Sequence, residues 1–429
     1  MVSLKKIENL NIILLSLLPL ALAAGPAIIE IVVFINILLF LISKKKIRFD
    51  KSDLFIIIFY LYLILSSLLS NFKIDSLMSS ILLLRFIFLY YIFKYYFLSE
   101  YRFKIINLTL ITLIFTFTIL IIDGYSQYFL KSSIFGNELS EIDRMTMHFR
   151  KDEYIMGSYL SKMMPIFLGV WFFKYKSFNL KINIFLTILL IFTFICMVLS
   201  NDRSATYLII FFIFGLIILS NLKLYSKIIT FFVVLFSITF SIFLIPSIKD
   251  RYLSATFMEL LGKNDDLVSE NVEILKNNNS KVNFFNLNIN NNNIYFFSTA
   301  HEAHIKTSLN MYLKNPLFGI GPNNFRKLCS KEDYGIYEQR GCSTHPHHIL
   351  SQVLAETGTL GLLFYLIAFF YLLKNLFKQL MSKYKNFYLS NLYLFYLLLL
   401  MPLLPSGNIF NNWYIYSMTL PFLYLNLVR

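Results

Sequence analysis

Charge is what this chain has least of. Only 15% of its 429 residues are Asp, Glu, Lys or Arg, where an ordinary soluble domain carries about 25%. Acidic side chains are the scarcer kind, 24 against 39 basic ones, so the formal net charge is +15. No clear internal repeat is present, which argues against a transporter built from related halves. A zinc spacing such as H-E-x-x-H is also missing. In place of charge stand hydrophobic residues at 57%, aromatic residues at 18% and a mean hydropathy of +0.64. A soluble surface cannot be built from such a chain, and the composition is that of a membrane protein.

Apolar stretches that suit transmembrane helices lie near 10–25, 27–43, 54–70, 76–98, 105–122, 158–174, 183–200, 205–220, 228–246, 351–373, 388–404 and 411–427. The start of the chain reads as the first of these rather than as a cleaved signal peptide. Basic clusters fall in alternate connections: Lys5 and Lys6; Lys44, Lys45, Lys46 and Arg48; Lys174, Lys176 and Lys181; Lys223 and Lys227; Lys374, Lys378, Lys383 and Lys385. Threading the spans in order puts every cluster on one side. By the positive-inside rule that side, with both termini, is cytoplasmic. The positive charge is therefore topological, and nucleic acid is not an expected partner. The fold class is all-α and polytopic, about twelve transmembrane helices with one large periplasmic loop domain. Residues 1–246 hold the first nine spans and a periplasmic loop at 123–157. Residues 247–350 form the large loop, and 351–429 the last three spans.

Within the large loop, 277–293 is Asn-rich and reads as an insertion. AHEAHIKTSLNMYLK at 300–314 has helical periodicity ended by Asn315-Pro316. LFGIGPNNFR is a Gly/Pro turn, and HPHHILSQVLAETG enters the tenth span as an amphipathic helix. His301, His304, His345, His347 and His348 all lie here. Two readings fit His347 and His348, which follow Pro346 at the first turn of that helix: a general base near the membrane boundary, or an interfacial anchor at headgroup level. His301 and His304 suit a metal or, as favoured for His304, polar packing on the membrane domain. Arg203 in the SNDRSAT turn, Arg251 in IPSIKDRYL, and Arg144, Arg150, Arg326 and Arg340 stand on the outer side, against the positive-inside bias. Arginine grips phosphate with two parallel hydrogen bonds, so Arg203 and Arg251 read as an anion site in preference to headgroup snorkelling. Arg85 lies inside a span, where a charge is costly and usually functional. Cys329 and Cys342 share the outer loop, where an oxidising compartment permits a disulfide.

KNPLFGIGPNNFR followed by HPHHILSQVLAETGTLG resembles the O-antigen ligase/polymerase family of bacterial inner-membrane proteins. The resemblance extends over nearly the whole chain: many spans, a large periplasmic loop late in the sequence, then the final helices. The family pattern is a histidine, then Asn, Ser or Gln, nine residues, then Gly with Thr or Val. His347, His348, Gly358 and Thr359 align with it, and His348 departs from the usual residue. The resemblance implies His347 as catalytic base, with His348 the alternative. It implies Arg203 and Arg251 as ligands of a diphosphate, supported by Arg144, Arg150 and Arg326. The implied reaction moves a glycan from undecaprenyl diphosphate to lipid A–core on the periplasmic face, with no metal or cofactor. Polymerase, protein O-oligosaccharyltransferase and, more distantly, lipid-linked sugar transporter are the alternatives. Donor, acceptor and membrane lipids are the expected partners.

Overall fold

The computed structural model describes residues 4–45, 49–136, 144–147, 154–175, 180–220, 223–260, 286–289, 292–295, 298–331, 333–334, 341–382, 386–402 and 405–425. Arg48, Arg150, Lys176, Arg340, Lys383, Lys385 and most of the Asn-rich stretch lie outside them. The first half is helical: α1 (Leu4–Ser16), α2 (Leu18–Ala24), α3 (Pro26–Ile42), α4 (Lys51–Leu69), α5 (Lys73–Leu82), α6 (Leu84–Phe97), α7 (Arg102–Leu130), α8 (Met156–Lys174), α9 (Leu180–Leu199), α10 (Arg203–Leu219) and α11 (Leu224–Leu244). Short α12 (Pro246–Lys249), a π-helical turn at Asp250–Ser254 and α13 (Ala255–Leu260) follow. An antiparallel hairpin, β1 (Asn286–Ile289) and β2 (Asn292–Tyr295), pairs Asn286 with Tyr295. The chain ends with α14 (Thr299–Lys314), α15 (Phe325–Leu328), α16 (Ile349–Met381), α17 (Phe387–Leu400) and α18 (Asn412–Tyr424).

The described part of each predicted span is helical apart from a few end residues, with 10–25 divided between α1 and α2 and 76–98 between α5 and α6. Among the described residues, four are long and apolar enough to cross a membrane by length and composition: Lys73–Phe97, Arg102–Leu130, Lys181–Leu199 and Ile349–Met381. The pair α1 and α2, bent by 52°, makes a fifth if it is one span. That bend is a departure from the single helix expected at 10–25. Pro19, at the start of α2, has no N–H to continue the ladder. A second departure is α7, which runs to Leu130 where the sequence predicts an end at 122. Asp123 is buried there and accepts from Ser133 Oγ at 2.5 Å, the Ile134 N–H at 2.9 Å and Gln127 Nε2 at 2.8 Å. A carboxylate so hydrogen-bonded need not mark a helix end.

Helix α8 is the centre. From Met156 to Trp171 every side chain is buried except Ser158, because α7, α9, α10, α17 and α18 pack around it. A helix enclosed on all sides has no polar stripe. Gly169 lets α17 close on it: a Cβ there would sit 3.0 Å from the Tyr388 ring.

Helix α16 is interrupted at Gly358, whose φ of 62° and ψ of −164° are not helical. The preceding Gly/Pro turn repairs the interruption. Ile320 N–H donates to the Ala355 carbonyl at 2.9 Å and Gly321 N–H to that of Glu356 at 3.0 Å. In return Thr359 N–H donates to the Pro316 carbonyl at 2.7 Å and Leu360 N–H to that of Leu317 at 3.3 Å. A Cβ on Gly358 would lie 2.5 Å from the Leu317 oxygen, and one on Gly319 2.5 Å from the Glu356 carbonyl carbon. The two glycine motifs therefore interlock backbone to backbone. From α4, Ser66 and the C-cap Ser70 donate to the carbonyls of Phe318 and Ile320, both at 2.8 Å, and Tyr62 donates to that of Thr357.

Candidate functional site

The histidine segment is fixed at both ends. Cys329 and Cys342 are joined by a disulfide, with Cα atoms 4.8 Å apart. At the other end His348 is the N-cap of α16 rather than a first-turn residue, as the sequence had placed it. Its Nδ1 accepts the Ser351 N–H at 3.2 Å, and its Nε2 lies 3.0 Å from the Pro402 carbonyl. A carbonyl only accepts, so Nε2 carries the proton and both ring nitrogens are engaged. His345 donates from Nε2 to the Ser406 carbonyl at 3.1 Å and takes the Thr344 hydroxyl on Nδ1 at 2.9 Å.

His347 stands between them in a different state. Its φ is 56°, a left-handed conformation uncommon for a side chain other than Asn or Gly. Its Nε2 meets Ser343 Oγ at 3.1 Å. The ring lies 3.9 Å from that of His345, 5.4 Å from His304 and 5.6 Å from His301, centroid to centroid. Burial, and then the imidazoles of His345, His301 and His304, push His347 down to about 3. Burial lowers His304 and His345 to about 4 and also lowers His348. His304, His345 and His347 are therefore uncharged at neutral pH. Among the described residues, no three His, Cys, Asp or Glu side chains converge as a metal site.

His345 and His347 face a cavity of about 560 Å³. Its wall includes Arg144, Tyr154, Ser158, Lys162, Asp202, Arg326, Asn408, Asn411, Trp413 and Tyr414. Arg203 and Arg251 are not on that wall but beside it. Arg251 Nε donates to the Asn201 carbonyl at 3.0 Å, and Arg203 Nη1 to Thr256 Oγ1 at 3.0 Å. Burial lowers the pKa of Arg251, and the charges of Arg144 and Arg203 lower it further, so both guanidiniums lie close enough to act on Arg251. Arg144 is held by its neighbours. The Gln127 amide pairs with both backbone groups of Thr146 at 3.0 Å, and Met145 N–H reaches the Ser200 carbonyl at 3.4 Å. Arg326 comes from the Gly/Pro turn and donates to Asn323 Oδ1 at 2.8 Å. Arg150 lies outside the described residues. Arg85, singled out as an intramembrane charge, pairs with Glu30 at 3.1 Å and Asn412 at 2.9 Å and does not line the cavity.

Beneath the cavity runs a buried polar network that sequence reasoning missed. Gln352 donates to Asn408 Oδ1 at 2.7 Å and to Glu356 Oε2 at 2.9 Å, while Glu356 Oε1 accepts the Phe325 N–H at 2.9 Å. Asn408 donates to Asn323 at 3.2 Å, closing the path to Arg326. Lys162 and Asp202 were also missed. The signal for Lys162 was available: one basic residue in the apolar run SYLSKMMPIF, the same costly placement noted for Arg85.

Residues 188–366 match the family model described as O-antigen ligase, which supports the family resemblance read from the histidine motif. The matched span holds Arg203, Arg251, Arg326, the disulfide, the histidines and Gly358. No curated protein matches the chain.

Proposed function

We propose, on the premise that residues 188–366 are of the O-antigen ligase kind, that this multi-pass membrane protein is a glycosyltransferase acting on a lipid diphosphate-linked glycan. The observation that carries the reading is His347, held in a left-handed conformation on the wall of a cavity that also holds Arg144, with Arg203 and Arg251 beside it. In the proposed step the acceptor hydroxyl gives its proton to His347. The oxygen attacks the anomeric carbon, and the bond from that carbon to the diphosphate breaks. The electron pair leaves with undecaprenyl diphosphate, whose charge Arg203, Arg251 and Arg144 stabilise, with Arg326 in support. His348, with both nitrogens occupied, serves as cap rather than base. No metal or cofactor enters this scheme.

A proton acceptor must be neutral, and His347 is held so. A depressed pKa also makes it a weak base. An anion bound at the arginines favours the imidazolium and raises that pKa as the donor arrives. The twelve helical segments are taken as spans, with 247–350 periplasmic and both termini cytoplasmic in the bacterial inner membrane. Transfer to lipid A–core is the preferred reaction. Polymerisation on the lipid carrier and transfer to protein use the same donor and base. Purified protein given an undecaprenyl diphosphate-linked oligosaccharide and each acceptor in turn tests the reading. Glycosylated lipid A–core is the expected product, and movement of intact donor across the bilayer without transfer overturns the enzyme assignment.

A further inference from the structure

Lys162 is the cation in the cavity that the proposed chemistry does not use. It projects from the central helix α8 into the cavity and is only 5% exposed. Its ammonium donates to Ser158 Oγ and lies 4.6 Å from the Tyr414 ring centroid and 5.8 Å from that of Trp413. Among the described residues, no carboxylate lies within ion-pair distance of it, although Asp202 is near enough to act on it through space. A buried ammonium with a hydroxyl and two rings for company is costly unless something else completes its shell.

The diphosphate is a poor candidate for that role. A diphosphate diester carries two negative charges, and Arg144 on the cavity wall with Arg203 and Arg251 beside it already gather three positive ones. Asp202, next to Arg203, lies against Gly157, where a Cβ would come 3.0 Å from its own. Lys162 follows five residues later on the same helix, about 7.5 Å further along its axis. Trp413 and Tyr414 flank the ammonium, and Asn411, whose Oδ1 caps α18, lines the same cavity. Flat rings that cover sugar C–H faces and amides that bond hydroxyls are the chemistry of a saccharide subsite.

Resting on the transferase reading above, we propose that Lys162, Trp413 and Tyr414 form a subsite for an acidic sugar, the ammonium pairing with a carboxylate or phosphate borne on the ring. The acid belongs to either the donor glycan or the acceptor. A charge-assisted hydrogen bond in a half-enclosed site gives roughly ten- to a hundredfold discrimination.

Two measurements test this. Calorimetric titration of the ligand-free protein compares a glucuronate-containing disaccharide with its carboxyl-reduced form. The acidic form should bind roughly ten- to a hundredfold tighter, and Lys162→Met should abolish the difference. Equal binding by the wild-type protein overturns the subsite even if the variant does not fold. Transfer assays then place the carboxylate on the donor with a neutral acceptor, and the reverse. The arm in which wild type shows the preference identifies the source. An equal fall for acidic and neutral substrates in Lys162→Met assigns the lysine to the diphosphate and overturns the proposal. If no pair is transferred while the acidic disaccharide still binds selectively, it is the transferase reading that fails and the subsite that stands.

Discussion

The motif HPHH holds three imidazoles within four residues, and the structure gives each a different occupation. His348 caps α16, His345 bridges Thr344 to the Ser406 carbonyl, and His347 alone adopts a left-handed backbone. The spacing left His347 and His348 as rival bases, because sequence does not show which ring nitrogens are taken. His347→Ala should lower transfer about a hundred- to ten-thousandfold while expression and membrane insertion persist, measured as product per folded protein. His348→Asn should stay active, since Asn is among the best N-cap residues and can accept the Ser351 N–H in its place. An inactive His348→Asn beside an active His347→Ala would exchange their roles. The depressed imidazoles also fix the sign of an acid effect. Between about 3 and the ordinary 6.5 the unfolded chain binds protons that the folded His347 refuses, and His304 and His345 behave alike down to about 4. Their contribution to stability is therefore complete above pH 6.5 and is lost as pH falls through that window. Thermal unfolding should shift to lower temperature below pH 6.5, and less so in a His304→Asn, His345→Asn double variant. An unfolding temperature that rises with acid contradicts this sign.

Among the elements, α16 shows how far periodicity reaches. Its apolar run and its position as the tenth predicted span were legible, while its start was read too early, at the histidines that follow Pro346. The reason for the nine residues between His348 and Gly358 was not, because it lies in a long-range contact. Those residues carry the helix from its cap to the point where the 316–321 turn splices into the ladder. Each glycine motif alone reads as a turn, and only together do they supply one another's hydrogen bonds. Gly358→Ala places a methyl against the Leu317 carbonyl at a positive φ. The expected cost is about 1–3 kcal/mol, read as a lower unfolding temperature, with transfer reduced as the histidine segment loses its footing. A variant as stable as wild type would mean that the turn and α16 separate freely. The break in the first span and the length of α7 escaped for related reasons. Pro19 is tolerated in either a bent or a straight apolar run, and Asp123 ends a helix only when its carboxylate is unpartnered.

For the molecule as a whole, hydropathy located the long apolar helices, and the basic clusters carry the proposed assignment of their sides. A reporter fused near residue 280 should score as periplasmic, and cytoplasmic activity there would remove the chemistry from its lipid-linked donor. The cavity was less legible than the bundle, since its wall draws on Arg144, Lys162, Arg326 and Trp413, residues far apart in sequence. Tertiary packing alone makes them neighbours. Helix α16 has 33 residues, a rod of about 50 Å at 1.5 Å per residue, whereas the hydrocarbon core is about 30 Å thick. The stretch from Thr359 to Met381 matches that thickness at about 34 Å, and the segment before the kink is surplus. On the proposed topology the rod would work as a depth gauge: footed in the far leaflet, it would set how high His347 rides above the acyl chains. On that reading a thicker bilayer draws the imidazole towards oil, and a thinner one lifts it away from the proposed diphosphate at headgroup level. Proteoliposomes of graded acyl length should show transfer peaking at one thickness. A flat profile would mean that the bundle bends the lipid to itself.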